Sequence, residues 1–373
     1  MTLKVTWPQA LAWRMERQLV HPVGDLSVAD TVRRMCGVQS QVASSAELAV
    51  RVRRRSSRAG EVTRALAKGD LIKTWAMRGT LHLLTPEDAG IYLSLLAAGR
   101  SWETPAWQKY FGVGPKEIEA LRVAAREALD GRALTREELA AAVTRKRGLG
   151  HIGKELASSW GTLLKPLAWQ GDLALGPSQG NRVTFVRPDQ ASARWGGLPE
   201  PDDAAPAAIL AYLSAYGPAT VEGFSSFISR GRVSKRSLKA WFAALGDRVA
   251  PVEVDGEPTY VRTDDLEELA AAKPTNAVRL LPGFDQWVLG PGTDDPRIVS
   301  PARRPAVSRQ AGWISPVVLL GGVVAGTWEL DGPTARIGWF REAGKPSKDS
   351  LATEAARLGA IVGRDLDVAV VIL

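Results

Sequence analysis

One order of elements recurs three times along the 373 residues: helix, short turn, helix, helix, hairpin. It then stops. This recurrence limits the fold more than composition does, because each unit must bury its own apolar helix faces before a hairpin closes it. In the first stretch, Trp7 to Val20 carries apolar residues at helical spacing. Ser27 and Asp30 predict a capping box for a helix over Val28 to Cys36, with Gly37 just past its end. Ser44 and Glu47 predict the same box for Ala46 to Arg54. A short helix near Val62 to Ala67 precedes LIKTWAMRGTLHLL, whose halves read as two strands around Arg78-Gly79. Thr85-Pro86 then opens another helix with proline at its first position.

The second stretch offers an amphipathic helix over Lys116 to Leu129, a helix capped by Thr135 and Glu138, and a third over Glu155 to Gln170. LALGPSQGNRVTFV follows as strand, turn and strand. Residues 198–206, LPEPDDAAP, read as a linker. The third stretch is the clearest: AAILAYLSAY, a Gly217-Pro218 turn, VEGFSSFIS, SKRSLKAWFAAL, and a hairpin turning at Asp255-Gly256. Helix–turn–helix followed by a hairpin is the winged-helix pattern. From Val278 the pattern changes to VRLLPGFDQWVLG, WISPVVLLGGVVAGTWEL, ARIGWF and VAVVIL, with one amphipathic helix over Ser350 to Val362. Short strands broken by Gly and Pro predict a small barrel or curled sheet. The expected architecture is α+β: winged-helix units over residues 1–112, 113–197 and 198–275, then a C-terminal β-barrel over 276–373, together forming a concave channel.

Several chemistries lack their residues. Cys36 is the only cysteine, which excludes a disulfide framework, a zinc knuckle and a four-cysteine iron–sulfur cluster. There is no GxxxxGK[ST], no GxGxxG after a strand and no GxSxG. His21, His82 and His151 lie far apart without partners at ligand spacing, so neither metal nor cofactor is expected. No stretch approaches the roughly 20 apolar residues that span a bilayer, and a soluble, cytoplasmic, monomeric protein is the expectation. Most of the 13 tryptophans are expected to be core anchors.

The net charge of +8 leaves a polyanionic partner and plain solubility both open. Lys235, Arg236 and Lys239 open the third helix of the third unit, where a groove-reading helix carries basic groups. A solvated face fits them comparably. The segment DDPRIVSPARRPAVSR holds Arg297, Arg303, Arg304 and Arg309, a candidate phosphate clamp.

Gln39 and Gln41, in CGVQSQ, are the other candidates. On a helix they would point about 200° apart, but in an extended segment they face one side. Each amide offers an acceptor and two donors, so a converging pair can orient a water molecule. By spacing alone, capping of neighbouring backbone is the favoured role. Arg78, Thr80 and His82 alternate in MRGTLHLL and are expected to share one strand face, either as an active-site wall or as an exposed polar row.

VRRMCGVQSQ, WAMRGTLHLL, LLPGFDQWVLG and GWISPVVLLGGVVAGTW together resemble the winged-helix DNA glycosylases of the AlkZ and YcaQ type, over nearly the whole chain. The resemblance implies tandem winged helices and a β-barrel around a basic channel for double-stranded DNA. It also implies a catalytic Gln–hydrophobic–Gln motif, here Gln39 and Gln41, which places the chain in the AlkZ-like branch. The implied activity is monofunctional excision of bulky N7-alkylguanine and unhooking of interstrand crosslinks, as self-resistance to a DNA-alkylating natural product. Ser40 departs from the hydrophobic middle position. A non-catalytic winged-helix regulator or lesion shield is the competing expectation.

Overall fold

In the computed structural model, which describes residues 2–158 and 161–373, helices and short strands are mixed along the chain, an α+β architecture. The residues gather into two units. The first takes the chain up to Val62, Ile209–Phe227 and Phe242–Leu373; the second takes Thr63–Ala208 and Ile228–Trp241. Residues from the expected third segment, 198–275, contribute to both.

In the first unit, Val249–Val254 and Glu257–Arg262 pair antiparallel. Asp255 and Gly256 turn the hairpin with φ of 47° and 85°, the left-handed pair that a tight turn with matching twist requires. Leu3–Val5 joins Val249–Val254 in parallel. The helix that follows runs Trp7–Arg17, capped by Thr6, and its apolar face meets this sheet through Ala10 and Trp13.

The C-terminal region of this unit corrects the barrel expectation. Its strands lie in the order Val278–Leu281, Val317–Leu320, Val323–Asp331, Thr334–Trp339, Asp367–Ile372, and the sheet is open. The last strand pairs parallel with Thr334–Trp339. A parallel pair needs a crossover connection, and the Lys348–Val362 helix provides it. That helix buries Leu351 and Leu358 in the same core as Leu280, Val317, Ile337 and Trp339, so the apolar face is covered by a helix and closure of the sheet is not needed. Glu354 anchors the helix by accepting the Leu280 N–H at 2.9 Å. Trp287 and Trp339 are fully buried there, and each such side chain contributes roughly 2–3 kcal/mol of burial free energy.

In the second unit, five strands run in the order Leu81–Leu84, Ile72–Trp75, Ala174–Leu175, Thr184–Val186, Leu134–Thr135. Thr135 and Glu138 form the expected reciprocal capping box at the head of Arg136–Thr144. Trp75, Leu121, Leu139, Leu167 and Phe185 share its core. Two expectations change here. The helix expected over Glu155 to Gln170 is broken into Gly153–Ala157, a tight turn at Thr162–Leu164, and Lys165–Trp169; residues 159 and 160 of that span lie outside the described residues. The expected linker at 198–206 is helical from Pro201, because proline fits a first turn and Asp202 and Asp203 favour the positive end of the helix dipole. Among the described residues, no helix is long and apolar enough to cross a membrane.

Candidate active site

The glutamine pair lies in the first unit, on a connector whose ends are set by local chemistry. Ser27 caps Val28–Arg34 by accepting the Asp30 N–H at 3.1 Å. The helix stops at Met35, earlier than expected, because Cys36 (φ 59°) and Gly37 (φ 91°) are both left-handed. Two such residues in succession cannot continue a right-handed helix, and the chain leaves as the extended pair Val38–Gln39. The next helix is Ala43–Arg51, and its first turn has no side-chain cap. The expected Ser44–Glu47 box is therefore not formed. Glu47 instead accepts the Glu61 and Val62 N–H groups at 3.1 and 3.2 Å, capping the following helix.

On this extended connector Gln39 Nε2 donates to Gln41 Oε1 at 2.8 Å. The two amides thus meet on one side, as their spacing allows. Gln39 is buried and Gln41 is exposed. The Gln41 amide nitrogen has no protein partner among the described residues, so it can meet water or substrate. The pair carries no charge and holds its atoms in fixed register, which suits positioning rather than proton transfer.

Ser40, between them, is 1% exposed, and its Oγ has no protein partner among the described residues. Its site is one that an apolar side chain would fill. Ser40→Ala is expected to raise stability by up to about 1 kcal/mol, because an unpaired buried hydroxyl is costly. A urea titration checks this; a clear loss of stability would mean that the hydroxyl is satisfied.

Arg78, Thr80 and His82 lie in the second unit and do not form one strand face. Arg78 is in a tight turn, Met77–Gly79, with φ of 58°, followed by Gly79 at 71°. This left-handed turn breaks the alternation that the sequence spacing implies. Thr80 ends the turn, donating its hydroxyl to the Met77 carbonyl at 3.1 Å. Only His82 is within a strand, and it is fully buried. Its Nδ1–H donates to the Thr80 carbonyl at 2.9 Å, while Nε2 has no protein partner among the described residues.

Burial, helped by the positive charge of Arg78, pushes the His82 pKa down to about 3, against a raising effect of the Thr80 carbonyl. His82 is therefore neutral near pH 7. Since the folded value lies below the unfolded one (about 6.5), the unfolded chain takes up the proton first as pH falls. The resulting stability is complete above the unfolded value and is lost as pH drops toward the folded one, by about 1.4 kcal/mol per pH unit within that window. His82→Gln is expected to flatten the stability–pH curve between about pH 6 and pH 4. Urea titrations showing equal slopes for both proteins would assign the dependence to other groups.

The candidate DNA-contacting cations separate into two classes. Lys235, Arg236 and Lys239 are exposed on Lys235–Ala243, and none is in an ion pair among the described residues. Arg304 and Arg309 are likewise exposed and unpaired. Arg297 and Arg303 are already neutralised. Arg297 donates to both carboxylate oxygens of Asp295 at 2.6 and 3.0 Å and to Glu257 at 2.9 Å, and stacks over Trp7. Arg303 grips Glu342 at 2.7 and 2.9 Å and lies over Phe340. The four arginines of that segment are not one free clamp, because nearby carboxylates already hold two of them.

Sequence reading also misses a buried ion pair in the first unit. Arg53 donates to Asp285 through both terminal nitrogens at 2.7 and 2.8 Å, with neither side chain exposed. No local pattern links two residues 232 positions apart.

Residues 32–361 match the family described as DNA glycosylase AlkZ-like. The chain is 48% identical over 329 residues to an interstrand DNA cross-link repair glycosylase of Streptomyces sahachiroi, covering 88% of this chain and 89% of that one. It is also similar to the solved structure of the Streptomyces sahachiroi DNA glycosylase AlkZ, with a TM-score of 0.96 and 45% identity, over 99% of this chain and 100% of that one.

Proposed function

Because this chain belongs to the AlkZ-like DNA glycosylases, we propose that it unhooks interstrand DNA crosslinks and excises bulky N7-alkylguanine as a monofunctional enzyme, with Gln39 and Gln41 catalytic. The observation that carries this reading is the 2.8 Å contact that locks two neutral amides side by side, one of them open to solvent. An N7-alkylated guanine is cationic and departs easily, so the N-glycosidic bond breaks with oxocarbenium character on the sugar (as in glycoside hydrolysis). Water then needs placement more than deprotonation. An amide oxygen can hold that water and face the sugar cation, while the paired amide fixes its orientation. No lysine adjoins the motif, which favours hydrolysis over a lyase route through a Schiff base.

DNA contact is assigned first to Lys235, Arg236, Lys239, Arg304 and Arg309. Lys235 and Arg236, in the first turn of Lys235–Ala243, oppose the helix dipole, a cost that an incoming phosphate removes. The finer architecture of three winged-helix units, and a role in self-resistance to an alkylating natural product, belong to the same proposal. The unpaired cations equally serve a non-catalytic DNA-binding protein, so the test must read chemistry.

An N7-methylguanine duplex and a crosslinked duplex, each incubated with the protein, are expected to yield free base or an unhooked strand. The abasic product should remain uncut until alkali is added. Binding without release would favour the non-catalytic reading; strand scission without alkali would replace hydrolysis with a lyase.

A further inference from the structure

We propose that Tyr216 is a positioning residue for the Gln39–Gln41 connector, held in place by the FDQWVLG segment. This rests on the catalytic reading of the glutamine pair. All the residues involved belong to the first unit.

Tyr216 is 1% exposed, and its hydroxyl donates to the Met35 carbonyl at 2.7 Å. Met35 ends the Val28–Arg34 helix. Its carbonyl is one of those that a helix terminus leaves without an intrahelical partner, and the tyrosine supplies the missing donor. Directly after it come the two left-handed residues, Cys36 and Gly37, that aim the chain into Val38–Gln39. The bond therefore fixes the peptide from which the catalytic connector departs.

The tyrosine ring is itself located by Gly290. A Cβ at that glycine would lie 1.9 Å from Tyr216 Cε1, so the ring occupies the space that any other residue would take. Gly290 closes the short Gln286–Leu289 helix by donating its N–H to the Gln286 carbonyl at 2.8 Å. The same helix begins at Asp285, which caps it through the Trp287 N–H at 2.8 Å and holds Arg53. Arg53 lies just past the Ala43–Arg51 helix, on the other side of the connector. One short segment thus grips the chain on both flanks of the glutamine pair: through Asp285 and Arg53 after it, and through Gly290 and Tyr216 before it. Packing alone would ask only for a ring at 216; the hydroxyl is what reaches the connector.

Single-turnover base release with enzyme in excess tests this, because the rate constant is then independent of the folded fraction. Tyr216→Phe is expected to lower that rate constant by about 10- to 100-fold, the scale of a small misplacement of reacting groups. Duplex affinity should change by less than about twofold. Tyr212→Phe serves as the control, since it removes a hydroxyl from the same ring cluster without touching Met35; it should keep the wild-type rate. In a Gln41→Ala background, Tyr216→Phe should add less than about twofold, because both act through one pair. A wild-type rate constant for Tyr216→Phe, a loss confined to amplitude, or an undiminished effect in the Gln41→Ala background would each overturn the proposal. If Gln39→Ala/Gln41→Ala protein still releases base at the wild-type rate, the catalytic reading itself has failed. If that variant is inactive and Tyr216→Phe is not impaired, only the positioning role has.

Discussion

Protein carrying both Gln39→Ala and Gln41→Ala is expected to release alkylated base at least about 10³-fold more slowly than wild type, at nearly unchanged duplex affinity. This magnitude matches the role proposed for the pair. A positioned polar group that acts on the transition state is worth about 10²- to 10³-fold, and placement of the attacking water adds to this. Neither glutamine carries charge, so removing them leaves the counterion release that dominates DNA affinity intact. The single replacements should be almost as damaging as the double one. Gln39 Nε2 orients Gln41 Oε1 at 2.8 Å, and groups that act as a unit are strongly non-additive. Single-turnover kinetics on an N7-methylguanine duplex, with affinity measured in parallel at fixed salt, give both quantities. Wild-type rates in the double variant would remove the pair from the chemistry. A proportional fall in affinity would make it a binding element instead.

Asp285→Ala is expected to destabilise the protein by about 3–5 kcal/mol, the scale for breaking a fully buried ion pair. The loss is large because of what remains. Arg53 would keep its bonds to the Ala49 and Gln18 carbonyls at 2.8 and 3.0 Å, but no anion would balance its buried charge. The Trp287 N–H would lose its cap as well. Replacing both partners with apolar residues, Arg53→Met with Asp285→Leu, should recover much of the loss, since no charge is then stranded. Urea unfolding of the two variants separates the effects. A cost below about 1 kcal/mol for Asp285→Ala would show that water reaches the guanidinium and that the pair is not sealed.

The two experiments bear on different levels of the same design. The first removes the atoms proposed to meet the substrate. The second removes a brace behind them, and should lower activity only as far as it loosens the connector between Met35 and Arg53.

Patterns within a few residues of one another were the legible part of this fold. The Ser27 and Thr135 caps, the turn at Asp255-Gly256 and the strands around Arg78-Gly79 all follow from side chains that satisfy nearby backbone. Where two local solutions compete, the sequence misleads. Ser44 and Glu47 have the spacing of a box, yet Glu47 caps a different helix that tertiary packing brings within reach. The alternation of Arg78, Thr80 and His82 looks like one strand face until a left-handed turn interrupts it. The barrel expectation failed for a similar reason. Strand count and glycine spacing do not state whether a sheet closes on itself or lays its apolar face under a helix such as Lys348–Val362.

For the site, the sequence by itself determined that two glutamines alternate shortly after Gly37, where an extended segment would bring both amides to one side. That is a statement about covalent geometry, and spacing is enough to make it. Only the tertiary structure decided what holds them. The partners of that connector, Tyr216 and Asp285, are distant in sequence and reach it through a carbonyl and a buried guanidinium. Such contacts leave no local periodicity, because hydrogen bonding and desolvation act through space, between residues whose separation along the chain carries no record of their meeting.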